Sequence, residues 1–143
     1  MFISQLSIFV RNSPGSIAEI TGILAKAGID IRAFSVADTT DYGILRLIVN
    51  APDRAEKVLR ERGIAVSLNR VIGVQVPDVP GGMHEVFAYL AECGIGIEYG
   101  YAFVSRREGF AYAILRVDDK ERAAKLLEER SIPMLTPREV YQN

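Results

Sequence analysis

Leu6, Ile8 and Val10 alternate with Ser7 and Phe9, the period-two pattern of a half-buried strand. After Ser13-Pro14-Gly15 the period changes. Ile17, Ile20, Leu24 and Ala27 recur at helical spacing as far as Gly28, a residue type that ends helices. Ser16 and Glu19 stand three apart where that helix begins, the spacing of a capping box. Two further strands are predicted over 31–38 and 44–50, joined around Thr39-Thr40-Asp41. A second helix follows over 54–62, with Ala55, Val58 and Leu59 inward, then a short strand over 64–67. The succession then repeats: strand 71–76, helix 83–92, strands 97–105 and 110–117, helix 121–130, and a tail from Thr136 to Tyr141 that suits a short helical turn.

The repetition is also visible in the residues. Shifted by 66 positions, Val10, Pro14, Gly15, Glu19, Leu24, Ala25, Gly28, Ile29 and Ile31 fall on identical residues. Shifted by 68, the segment 54–64 overlays 122–132 with seven identities in eleven positions. The change of offset places two extra residues in the second copy, near Arg106 to Gly109. Two copies of this size make a tandem pair rather than a solenoid. Each copy has the order β-α-β-β-α-β, which predicts an α+β protein with two ferredoxin-like domains in tandem, over 1–68 and 69–143. Each domain is expected to have an antiparallel sheet with its helices on one face. Strands 97–105 and 110–117 are apolar on both faces: Tyr99, Tyr101 and Phe103 stand opposite Ala102 and Val104. Both faces should therefore be covered, by the other copy or by a second chain, and a homodimer is expected.

Composition narrows the function. Lys plus Arg number 17 against 18 Asp plus Glu, a net charge of −1, and 49% of the 143 residues are apolar. That composition can fill a core and is not that of a disordered chain. No basic excess exists to neutralise phosphates, so no nucleic-acid partner is expected. The N-terminal Met1-Phe2-Ile3-Ser4-Gln5-Leu6 lacks the basic and long apolar segments of a leader. No apolar run approaches ~20 residues, so no membrane partner is expected and a cytoplasmic protein is the default. Cys93 stands alone on an apolar helix face, where it reads as packing. With one His (His84) and one Cys, the sequence holds no metal-ligand cluster, and it has no phosphate loop and no nucleophile motif. Neither catalysis nor a cofactor is expected.

The candidate chemistry lies in the turn before each first helix: Asn12, Ser13, Pro14, Gly15, Ser16 and Ile17 in one copy, Asp78-Val79-Pro80-Gly81-Gly82-Met83 in the other. Pro sets the chain at the helix entrance, Gly lets a ligand approach the backbone, and the first helical N–H groups suit a carboxylate. A plain strand-to-helix turn accounts for the same residues equally well.

The run from Phe9 to Ile17, followed by Gly28-Ile29-Asp30-Ile31, resembles the ACT domain, a small regulatory amino-acid-binding module. The second copy resembles it at Asp78-Val79-Pro80-Gly81 and Gly94-Ile95-Gly96-Ile97. The resemblance covers nearly the whole chain, leaving no catalytic domain. The first copy is most similar to the ACT domain of acetolactate synthase small subunits, and the whole to stand-alone tandem ACT proteins. The resemblance implies a free amino acid held by Asn12, Ser13, Pro14, Gly15, Ser16 and Ile17, with Asp30 and Ile31 contributed by the same or a neighbouring domain. It also implies a metabolic enzyme or regulator as the protein's partner. Asp78 replaces Asn12 and Gly96 replaces Asp30 in the second copy, which makes the first copy the expected site. Two other readings are a regulatory subunit of acetolactate synthase and a ligand-free structural oligomerisation module.

Overall fold

The computed structural model describes residues 2–38, 41–104 and 107–142. The elements follow in the order β1 (Ile3–Arg11), α1 (Ser16–Lys26), β2 (Ile31–Asp38), β3 (Tyr42–Val49), α2 (Pro52–Glu61), β4 (Val66–Pro77), α3 (Gly82–Glu92), β5 (Ile97–Val104), β6 (Phe110–Val117), α4 (Lys120–Glu129) and α5 (Pro137–Tyr141). The chain forms two compact units, each drawn from two stretches of sequence. The first comprises Ser4–Asn69 with Arg138–Asn143, the second Met1–Ile3 with Arg70–Pro137. The expected division after residue 68 meets the chain near the same point, but it leaves each terminus with its own half.

In the first unit the strands lie in the order β2-β3-β1-β4, and β1–β3 and β2–β3 are antiparallel. Leu6, Ile8 and Val10 of β1 and Leu45, Leu47 and Val49 of β3 share one face, on which Ile20 and Leu24 of α1 and Ala55 and Leu59 of α2 pack. Both helices therefore lie on that face. The second unit repeats the plan with β4-β6-β5. Ile72, Val74 and Val76 meet Val86 and Leu90 of α3 and Ala123 and Leu127 of α4. The 66-residue offset holds from β2 to β5 and the 68-residue offset from β3 to β6, so the extra residues fall in the connection between β5 and β6. Thr39, Thr40 and Arg106, read as turn residues, lie outside the described residues.

Two expectations are corrected, and one face of β4 proves partly covered by the chain itself. The strands read over 64–67 and 71–76 are one strand, β4, whose exposed Ser67 and Arg70 interrupt the apolar pattern without interrupting the backbone. The capping box is not formed. Gly15 is the N-cap of α1, Ser16 is already helical, and no side-chain hydrogen bond caps the helix. On the side away from the helices, β4 of the second unit is partly covered from within. Gly73 lies on that face, and a side chain there would meet Leu135 at 2.8 Å and Ile3 at 3.0 Å. Leu135 N–H also donates to the Gly73 carbonyl, and Gln75 N–H to Pro133, so the segment after α4 runs beside β4.

Candidate functional site

The turn of the first unit is held by backbone. Asn12 N–H donates to the Asp41 carbonyl (3.0 Å), which ties the end of β1 to the start of β3. Ser16 N–H reaches Ser13 O (3.3 Å), Glu19 N–H reaches Gly15 O (2.9 Å), and the Ser13 and Ser16 hydroxyls share a hydrogen bond of 2.9 Å. Gly15 adopts φ +88°, a left-handed conformation that strains residues with a side chain. No atom lies within 4 Å of where its Cβ would be, so the space over the helix entrance is open. Asn12 to Gly15 are exposed, and Ile17 is 38% exposed beside them. The opening thus presents first-turn N–H groups, an amide side chain and an apolar flank. That combination can accept a carboxylate and a short apolar side chain.

Asp30 and Ile31 lie elsewhere in the unit. Ile31 pairs with Val49 at one end of β3, whereas Arg11, just before the turn, pairs with Tyr42 at the other. Along that strand the separation is roughly 23 Å. Asp30 N–H donates to the Asn50 side chain (2.9 Å), and the Asp30 carboxylate pairs with Arg32 at 2.6 Å while 59% exposed. A shift of register between Ile31 and Ala33 places Arg32 at a bulge, and its guanidinium also donates to the Val140 carbonyl (3.1 Å). The unit therefore gathers Asn12, Ser13, Pro14, Gly15, Ser16 and Ile17 but not Asp30 or Ile31. Arg32, which sequence reading passed over, belongs with Asp30, and only the bulge reveals it.

The second unit copies the backbone and changes the chemistry. Asp78 N–H donates to Gly109 O (2.9 Å), Glu85 N–H to Gly81 O (3.0 Å), and Gly81 has φ +87°. A Cβ on Gly82 would collide with the Pro77 carbonyl, so that glycine admits the chain's own backbone rather than a ligand. At the far end, Gly96 N–H donates to the Asp118 carboxylate (3.1 Å), which lies 2.9 Å from where a Gly96 Cβ would stand. The acid found on the strand entrance as Asp30 in the first unit stands one connection away as Asp118 in the second.

Two of the hollows in the second unit lie beside α3. One, about 620 Å³, has exposed His84, Glu85, Glu92 and Arg130 on its rim. The Arg130 guanidinium lies 4.5 Å from the Tyr89 ring centroid. Burial, reinforced by the neighbouring Cys93, raises the pKa of the Tyr89 phenol, which donates to Leu126 O (2.9 Å). The other, about 280 Å³, lies over β5 beside α3 and is lined by Met83, Phe87, Ile97, Gly100 and Ala102 among others. Among the described residues no group of three or more His, Cys, Asp or Glu could hold a metal ion.

A family model described as an ACT domain pair matches residues 1–142. The chain belongs to that family. ACT domains are regulatory modules that bind amino acids. Among solved structures, protein BT0572 of Bacteroides thetaiotaomicron superposes with a TM-score of 0.94 at 35% identity, over 100% of this chain and 98% of that one. The regulatory subunit of aspartate kinase from Thermus thermophilus matches with 0.63 at 18% identity, over 88% and 91%. That of Thermus flavus matches with 0.62 at 18%, over 87% and 88%. The two kinase subunits show a shared fold. No curated protein sequence matches the chain. No described helix is long and apolar enough to cross a membrane.

Proposed function

We propose that this ACT pair is a non-catalytic, cytoplasmic regulatory protein that binds a free amino acid at the β1–α1 turn of its first domain. The observation that carries the reading is the open space over Gly15, in front of a helix entrance without a side-chain cap, in a chain of the ACT family. The α-carboxylate is received by the first-turn N–H groups, the Asn12 side-chain oxygen accepts from the α-ammonium, and a small side chain lies against Ile17. Ser13, Pro14 and Ser16 hold the turn. Asp30 and Ile31, at the other end of the sheet, contribute only to a turn of a neighbouring copy of the domain, so the protein works as a homodimer. Binding across that contact favours one arrangement of the domains, and a metabolic enzyme or regulator responds to it.

A thermal-shift screen against the twenty amino acids tests this, because a ligand of the native state raises the melting temperature. One amino acid, or a few of similar side chain, stabilise the wild type, and Asn12→Ala loses the shift while melting at the wild-type temperature without ligand. An absence of any shift at millimolar concentrations sinks the sensor reading and leaves the structural module.

A further inference from the structure

The 620 Å³ hollow of the second unit gathers charges that the protein itself leaves unanswered. Among the described residues, the side chains of Glu85 and Arg130 on its rim form no ion pair and no hydrogen bond. Arg130 is nevertheless held in place. Its guanidinium lies over the Tyr89 ring, and the Tyr89 hydroxyl is bound in turn to the Leu126 carbonyl of α4. Glu85 stands four residues before Tyr89 on the same stripe of α3, about 6 Å nearer the start of the helix. Phe110 and Ile132 give the hollow an apolar wall. Beside Arg130, Ser131 has φ +56°, the only positive φ at a residue with a side chain among the described residues. The first copy has Gly63 at that place, with φ +76°, and Ile23 in place of Tyr89. The second copy thus keeps a hydroxyl in a strained conformation and seats its arginine on an aromatic ring, and the first copy does neither.

We propose that this hollow is a dipeptide site, with the ligand carboxylate on Arg130 and Ser131 and its ammonium on Glu85. A cation and an anion set apart along one apolar-walled hollow call for a molecule that carries both charges. The volume falls inside the usual range of small-molecule sites, about 300–1,000 Å³. Spacing selects the ligand. The two charged groups of a free α-amino acid are two bonds apart, about 2.5 Å. An extended chain spans about 3.5 Å per residue, so the ends of a dipeptide stand roughly 6–7 Å apart. That length matches the step along α3 from Glu85 to the ring that carries Arg130. The two ligand side chains then meet Phe110 and Ile132. Glu92 adds a second carboxylate to the rim, which disfavours a ligand carrying carboxylates alone. The site belongs to the second unit and does not rest on the amino-acid site proposed for the first.

Isothermal titration of the full chain with alanyl-leucine and alanyl-phenylalanine tests this, beside their N-acetyl and C-amide forms and free leucine and phenylalanine. At least one of the dipeptides binds, one per chain. Blocking either end weakens it about tenfold or more, the loss of a charge-assisted hydrogen bond. Arg130→Gln and Glu85→Gln each do the same; both residues are exposed, so folding is retained, which circular dichroism checks. Ser131→Gly weakens binding several-fold yet melts at or above the wild-type temperature, because glycine relieves the positive φ. A merely structural role for Ser131 would not separate the two readouts. Asn12→Ala leaves the titration unchanged, so this proposal and the amino-acid reading fail separately. Absence of binding by both dipeptides at about 10 mM overturns the proposal. Binding that survives N-acetylation, or that persists undiminished in both Arg130→Gln and Glu85→Gln, also overturns it. A free amino acid that binds as tightly and is lost in Arg130→Gln assigns the hollow to single amino acids and overturns the dipeptide.

Discussion

Gly22 and Gly82 make opposite demands on the chain. Gly22 lies inside α1 with nothing within 4 Å of its missing Cβ. Gly22→Ala should therefore stabilise the protein by about 0.5–1 kcal/mol, through helix propensity and a less flexible unfolded chain. Gly82 opens α3 with the Pro77 carbonyl in its side-chain space, so Gly82→Ala should destabilise by about 1–3 kcal/mol as the turn is pushed open. Urea denaturation of the two variants checks both signs. The contrast also shows which part of the candidate site was legible. That the turn needs glycine was readable from Pro14-Gly15 and Pro80-Gly81. That Gly82 serves the protein's own backbone was not, because Ser16 occupies the equivalent place without conflict and only the approach of Pro77 distinguishes them. Asp30 looked equally available in sequence. Its ion pair with Arg32 depends on a bulge, and no periodicity announces a bulge.

At the scale of elements, α4 enters its helix differently from α1 and α3. α4 starts at Asp119, whose carboxylate accepts from Arg122 N–H (3.1 Å), whereas α1 and α3 start at left-handed glycines without a side-chain cap. Asp119→Ala should cost about 1 kcal/mol, the usual loss of a cap. Ser16→Ala should cost only a few tenths, because Ser16 is exchanged within an exposed hydroxyl pair and caps nothing. Thermal melts of the two variants distinguish a cap from a lookalike. The strand order and both helix faces were readable because the apolar period holds through β1, α1, α2 and their repeats. β4 was not readable as one strand. Its exposed Ser67 and Arg70 fall where the chain passes from one core to the next, and polarity there resembles a linker although the hydrogen bonding is that of a strand.

At the scale of the whole molecule, neither unit is a continuous piece of sequence. Val140, 3% exposed, lies in α5, and the neighbouring Tyr141 hydroxyl accepts from Ser4 N–H (3.0 Å), so the end of the chain completes the unit built on residues 4–69. Phe2 packs on the other core, with the Lys120 ammonium 5.8 Å from its ring centroid. Val140→Ala should therefore lower amide protection in β1, β2 and β3 while leaving α3 and α4 at wild-type protection, as measured by native-state hydrogen exchange. The same exchange of ends sets a timetable during synthesis. A ribosome adding 5–20 residues per second delivers Val140 roughly 4–14 s after Asn69. The first unit to be translated therefore waits for the last helix. Until that helix emerges, the nascent chain carries an incomplete first unit, and a chaperone that engages it has those seconds in which to act.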